Sequence, residues 1–142
     1  MFLNGAPTDN NATLFAAGAH KVLDAKSNYK KVAEQAVPKW DNQQAATIFE
    51  GMYTKNKGNI QGVLAANDGL GNAAISILRK NGQAGKVPVT GQDATAQGLQ
   101  NILDGSQCMT VYKPATAEVG ALVEPGHRSG QGPARQGHRH HP

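Results

Sequence analysis

Six side chains able to hydrogen-bond or stack fall at or just past the ends of successive apolar runs. They are Asp9 and Asn11 in Gly5-Ala6-Pro7-Thr8-Asp9-Asn10-Asn11, Trp40 after Val37-Pro38, Asn67 in Ala65-Ala66-Asn67-Asp68, Asp93 in Gly91-Gln92-Asp93, and Lys113 in Val111-Tyr112-Lys113-Pro114. Carboxylates accept hydrogen bonds from neighbouring hydroxyls, side-chain amides both donate and accept, and an ammonium donates. The indole of Trp40, the one tryptophan in the sequence, adds a flat apolar face that suits the C–H face of a pyranose ring. Together the set could satisfy a small polyol, provided the fold gathers it in one place.

An open parallel sheet does so, because segments just past the carboxyl ends of its strands converge on one crevice. Residues 1–123 alternate strand and helix signals with short links, the pattern of βαβ units. Strands are expected at the end of Phe2 to Asn4, more weakly over Val32 to Val37, and over Ile60 to Ala65, Val87 to Thr90 and Gln107 to Tyr112. Helices are expected over Asn10 to Ala25 with Leu14, Phe15, Val22 and Leu23 on one face, and over Asn42 to Asn56 with Ala45, Ile48, Phe49 and Met52 at helical spacing. A third runs from Gly71 to Asn81 and stops at Gly82, a residue tolerant of left-handed dihedrals. A fourth, Ala94 to Leu103, would turn Leu99, Ile102 and Leu103 inward, and Pro114 opens a last one over Ala117 to Val123. The expected fold is a three-layer α/β/α sandwich whose five-stranded parallel sheet runs in the order 2-1-3-4-5.

Length and composition agree. With 142 residues and 39% hydrophobic content the chain can build one domain but not two ordinary ones. Its apolar runs are far too short to span a bilayer. The net charge of +4 is divided evenly between residues 1–123 and the short remainder, so neither part has the dense basic face of a nucleic-acid binder. Cys108, alone, forms no intramolecular disulfide, and since its neighbours Met109, Thr110 and Val111 look like a buried strand it is expected to be a small packed thiol. The N-terminus Met1-Phe2-Leu3-Asn4-Gly5 lacks the charged start and apolar stretch of a secretory signal.

From Glu124 the composition turns to Gly, Pro, Arg and His, with no apolar residue large enough to anchor a core, and residues 124–142 are expected to be a disordered tail. Its His127, His138, His140 and His141 read as an adventitious chelator rather than a built metal site. No catalytic constellation stands out: His20 lies inside the first helix, and no serine or cysteine occupies a nucleophile elbow. Neither a cofactor nor a metal is expected.

Each of the six also has a plain reading. Asp9 and Asp93 could cap the helices that follow, Asn67 could serve a turn, Trp40 could be a core or surface aromatic, and Lys113 a solvated charge. Two other functions fit the same architecture. Gly69-Leu70-Gly71 with Ala74 imitates a dinucleotide fingerprint, with Asp93 near where a ribose-binding acid would lie, although Asp68 would then sit beside the pyrophosphate. A two-component receiver domain is echoed by Asp68 and Lys113-Pro114, without the acidic pair expected after the first strand. Neither accounts for Trp40.

Gly5-Ala6-Pro7-Thr8-Asp9-Asn10-Asn11-Ala12, Trp40, Val63-Leu64-Ala65-Ala66-Asn67-Asp68, Val89-Thr90-Gly91-Gln92-Asp93-Ala94 and Met109-Thr110-Val111-Tyr112-Lys113-Pro114 together resemble the C-terminal half of the xylose-binding proteins of bacterial ABC importers, which are type I periplasmic binding proteins. The resemblance runs from residue 1 to about residue 121. It implies two Rossmann-like lobes joined by a hinge and closing on one monosaccharide, D-xylose or a related pentose, with Asp9, Asn11, Trp40, Asn67, Asp93 and Lys113 against the sugar. It also implies an N-terminal lobe of the same protein, an importer permease as partner, and a periplasmic location for the intact protein. The abrupt change after Ala121 to Val123 is expected to mark a truncated or frame-shifted reading frame or half of a split protein.

Overall fold

The computed structural model describes residues 1–117 and 119 of the chain. The chain divides into two units after Tyr112, and the described part of the second is residues 113–117 and 119. The boundary expected near residue 123, most of the last expected helix and the expected tail lie outside the described residues.

In the first unit, β1 (Phe2–Asn4) is followed by a turn closed by Asp9 N donating to Ala6 O at 3.0 Å, with Pro7 supplying the fixed φ that the second turn position needs. Helix α1 (Asn10–Leu23) then leads to β2 (Glu34–Ala36). A short 3-10 turn, Pro38–Trp40, delivers the chain to α2 (Asn42–Lys55), capped by Asp41 accepting from Gln44 N. Strand β3 (Leu64–Ala65) feeds α3 (Asp68–Lys80), which ends at Gly82 with φ +66° as its type suggests. Helix α4 (Ala96–Leu103) closes the described series of this unit.

The strands pair in parallel in the order β2-β1-β3, with Leu3 level with Gln35 and with Ala65. Two further segments extend that order without becoming strands. Val89 bridges Val63, and Val111 bridges Gln92, both in parallel sense. The expected order 2-1-3-4-5 and the parallel α/β fold therefore hold, but the five expected strands reduce to three strands and two single bridges among the described residues. The physical reason lies in the backbone. Pro88 has no N–H to give to a ladder, and Asp93 and Ala94 take positive φ values of 102° and 48°, which end any extended run.

Right-handed crossovers put α1 on one face of the sheet and α2 and α3 on the other, since the first connection moves one way along the sheet and the next two move back. The core lies on the α2 and α3 side. It is built from Ala45, Phe49, Met52 and Tyr53 at helical spacing, from Leu70, Ala74, Ile77 and Leu78, and from Leu3, Val37, Val63 and Val89 beneath them.

Three expectations about burial are corrected. Leu14 and Val22 of α1 are exposed, and Ala12 is that helix's one buried residue, because within the first unit no other helix shares its face of the sheet. On α4, Leu99 and Leu103 are exposed, while the buried positions belong to Gly98 and Asn101. Cys108 is exposed rather than packed, with its Sγ 3.1 Å from Val89 O.

Candidate functional site

Chain direction along the sheet reverses between β1, which connects outward to β2, and β3, which connects the other way. In open α/β sheets such a switch point leaves a crevice outside the carboxyl ends of the two strands. The register fixes what borders it. Leu3 and Ala65 are level, so Gly5 and Asn67, each two residues further on, leave the sheet together.

On the β1 side, Asp9 does two jobs. Its Oδ1 accepts from Asn11 N at 2.9 Å and caps α1, while Oδ2 accepts from the indole Nε1 of Trp40 at 3.0 Å. The plain capping reading of Asp9 is thus correct without exhausting the side chain. Trp40 arrives there because Lys39 and Trp40 both adopt left-handed dihedrals, φ +55° and +57°, which swing the chain off β2 and back over β1. Its ring lies against Gly5 so closely that a Cβ on Gly5 would fall inside the ring's contact surface. The indole is partly buried, packed against the edge of the core. Asn11 sits exposed in the first turn of α1.

On the β3 side, Asn67 caps α3, its Oδ1 accepting from Leu70 N at 2.9 Å. The cap uses the oxygen and leaves the amide donors out of it. Gly69 beside it packs against the start of α2, where a Cβ would stand 2.6 Å from Oδ1 at the movable end of the Asn42 side chain. Gly71 in turn would bring a Cβ to 3.0 Å from Thr90 O. These glycines are therefore explained by close packing between elements, and the dinucleotide fingerprint loses its motive.

Asp93 is exposed, in the turn that follows Gln92. It does not cap α4. That role belongs to Thr95, whose Oγ1 accepts from Gly98 N at 3.0 Å. The turn is held by Asp93 N donating to Val111 O at 2.9 Å and Ala94 N donating to Thr110 Oγ1 at 3.1 Å. Lys113 is exposed and opens the second unit. Within the first unit, then, Asp9 bonds both the Asn11 backbone N–H and the Trp40 indole, Asn67 stands across the switch point, and Asp93 follows the next lane of the sheet.

Sequence reasoning missed the polar centre beside this edge. Asp68, 1% exposed, accepts four hydrogen bonds: from Thr95 N at 2.8 Å, Thr95 Oγ1 at 3.0 Å, Gln107 Nε2 at 2.9 Å and Thr110 Oγ1 at 2.7 Å. Burial acts to raise its pKa, but the donors from Thr110, Thr95 and Gln107 outweigh it and hold the carboxyl below its ordinary value. A carboxylate so enclosed cannot reach a phosphoryl donor, which removes the receiver reading. The nearest sequence clue was its place directly after a capping Asn, on the first turn of a strongly amphipathic helix.

A second polar cluster ties β2 to α1. His20 stacks on Phe2 with ring centroids 4.9 Å apart, and its ring nitrogens lie 2.9 Å from Asp24 Oδ2 and 2.8 Å from Glu34 Oε1. Asn4 Nδ2 also donates to Glu34 at 2.8 Å. Glu34 is pulled down to about 2, since Lys31, His20 and Asn4 together overcome the opposing effect of burial, and His20 is raised by Glu34 and Asp24. Among the described residues no group of three or more His, Cys, Asp or Glu could hold a metal. Nor is any described helix long and apolar enough to cross a membrane.

Comparison with known proteins gives one consistent answer. The family model described as a periplasmic binding protein domain matches residues 1–128. The D-xylose-binding periplasmic protein of Haemophilus influenzae is 44% identical over 119 residues, 82% of this chain and 36% of that protein. Its Escherichia coli counterpart of the same name is 40% identical over 127 residues, 87% of this chain and 38% of that protein. Among solved structures, an ABC transporter periplasmic solute binding protein from Actinobacillus succinogenes with bound D-allose superposes with a TM-score of 0.75 at 28% identity, over 90% of this chain and 45% of that one. The chain thus spans little more than a third of the length of the xylose-binding relatives it matches.

Proposed function

This chain belongs to the periplasmic binding protein family, and on that premise we propose that it is the C-terminal lobe of a sugar-binding component of an ABC importer, with D-xylose or a related pentose as ligand. The observation that carries the reading is the pairing of Asp9 with the Trp40 indole at the switch point, opposite Asn67. There a carboxylate, an amide and a flat apolar ring border one crevice, the combination a pyranose needs.

In this reading Asp9, Asn11, Asn67 and Asp93 exchange hydrogen bonds with sugar hydroxyls, Lys113 donates to a hydroxyl or the ring oxygen, and Trp40 stacks on the C–H face. Asp9 and Asn67 carry a double load, since each already caps a helix. Capping fixes their rotamers, so less entropy is lost when the sugar binds. The opposing contacts come from an N-terminal lobe, whose closure excludes water and strengthens every polar contact inside. A periplasmic location and delivery to a membrane permease follow from the same reading.

The test is a D-xylose titration followed by Trp40 fluorescence. The 142-residue chain alone is expected to bind feebly, and addition of an N-terminal lobe in trans to tighten binding; a micromolar constant for the chain alone would defeat the half-clamp picture. In the two-lobed assembly Asp93→Ala and Lys113→Ala should each cost about ten- to a hundred-fold in affinity, the usual worth of a hydrogen bond to a charged group. Unchanged affinity in both would sink the site assignment.

A further inference from the structure

We propose that Asp68 is a positioning residue for the sugar site, acting on Asp93 through Thr110. The proposal rests on the reading of Asp93 as a sugar contact. A relay connects the two. Thr110 Oγ1 donates to Asp68 Oδ1 at 2.7 Å and accepts from Ala94 N at 3.1 Å, so the carboxylate fixes the hydroxyl rotor that in turn fixes the Asp93–Ala94 peptide.

That peptide needs fixing. Asp93 at φ +102° and Ala94 at φ +48° occupy backbone regions costly for residues with a Cβ, and such conformations persist where surrounding contacts over-determine them. Here the contacts are the Ala94 bond to Thr110, the Asp93 N bond to Val111 O at 2.9 Å, and the grip of Asp68 on Thr95 just beyond, through both its N–H and its hydroxyl. Asp68 itself starts α3, next to the capping Asn67, and its own N–H donates to Gln92 O at 2.9 Å. One buried side chain therefore references Asp93 to the β3 side of the crevice, where Asn67 lies.

The surroundings are shaped to this carboxylate. A Cβ on Gly91 would run into Asp68 Oδ1 and Gln107 Nε2, and one on Gly98 would run into both oxygens of Asp68. A merely convenient hydrogen-bond acceptor would not require two glycines from two different elements to stand aside. With no room for a longer or differently shaped side chain, Glu at this position should fail to substitute.

The experiment compares Thr110→Val, Asp68→Asn and Asp93→Ala, using site-resolved amide exchange by NMR on the 142-residue chain and D-xylose titrations of the same chain with the N-terminal lobe added in trans. Thr110→Val is near-isosteric and breaks the relay without removing the buried charge, so it guards against a failure of Asp68→Asn to fold. Expected for Thr110→Val is faster exchange at Asp93 and Ala94 with protection in α1 and α2 unchanged, together with about a tenfold loss of D-xylose affinity. A general loss of stability would instead speed exchange throughout and would overturn the proposal. Unchanged affinity in Thr110→Val and Asp68→Asn beside a clear loss in Asp93→Ala would overturn the positioning role alone. Unchanged affinity in all three would overturn the sugar contact of Asp93, and the positioning role with it.

Discussion

Asp9 and Asp68 stand at comparable places, each at the start of a helix just past the carboxyl end of a parallel strand. Asp9 keeps part of its surface in solvent, caps α1 with one oxygen and holds the Trp40 indole with the other. Asp68 is buried, leaves the capping of α3 to Asn67, and spends both oxygens on Thr95, Gln107 and Thr110. Depth in the fold separates their roles. A carboxylate at the rim can exchange its partners with water or with a sugar hydroxyl at little cost, while a buried one must keep its partners, because an unpaired charge in the interior is expensive.

The largest effect should come from emptying the deeper site. Asp68→Ala strands the Gln107 amide and the Thr95 and Thr110 hydroxyls without their acceptor and is expected to lower stability by about 3 kcal/mol or more, read as a fall in the urea midpoint. A loss below about 1 kcal/mol would mean that the lanes around Val89 and Val111 are held by other contacts, and would break the comparison.

Asp9→Ala should cost less, about 1 to 2 kcal/mol, because it removes one helix cap and one partly exposed indole bond. The accompanying change in Trp40 emission separates the two losses. Asp9→Asn should restore the cap, since Asn caps as well as Asp; if it also restores the emission, the indole bond needs an oxygen but not a charge.

The smallest effect is in pH, and it sharpens the contrast between buried and rim carboxylates. Glu34, depressed from 4.5 to about 2, contributes stability that is full above about pH 4.5 and is lost as pH falls toward 2. Asp68, also depressed, is lost in the same direction, below its ordinary value of 3.8. His20 is raised, so its contribution is full below 6.5 and fades as pH climbs through its folded value. A thermal midpoint measured across this range should fall at both ends, and His20→Gln should flatten the alkaline side and, by removing one of the groups that holds Glu34 down, also soften the acid side.

Element order and the parallel sheet were legible in the chain. Periodicity placed α2 within a residue, and the Gly82 stop was read from its type. Those features depend on neighbours in sequence: a helical stripe, a cap, a turn residue. What depended on distant partners was not legible. The apolar stripe of α1 predicts an inward face for Leu14 and Val22, yet whether such a face is covered is decided by what else lies on that side of the sheet. On α4, Leu99 and Leu103 carry the same signal and give way to Gly98 and Asn101, because the space beneath the helix is taken by a carboxylate from another element.

The sequence by itself determined the family of the fold and the kinds of side chain at its edge, since hydrophobic period, caps and turn residues act over a few positions. Tertiary structure decided which of those side chains work together. Asp9 meets Trp40 across 31 residues, and Asp68 meets Thr110 across 42. No local pattern encodes such pairings, because each exists through the closing of the sheet, which brings the ends of separate strands to one edge and sets how far each carboxylate stands from water.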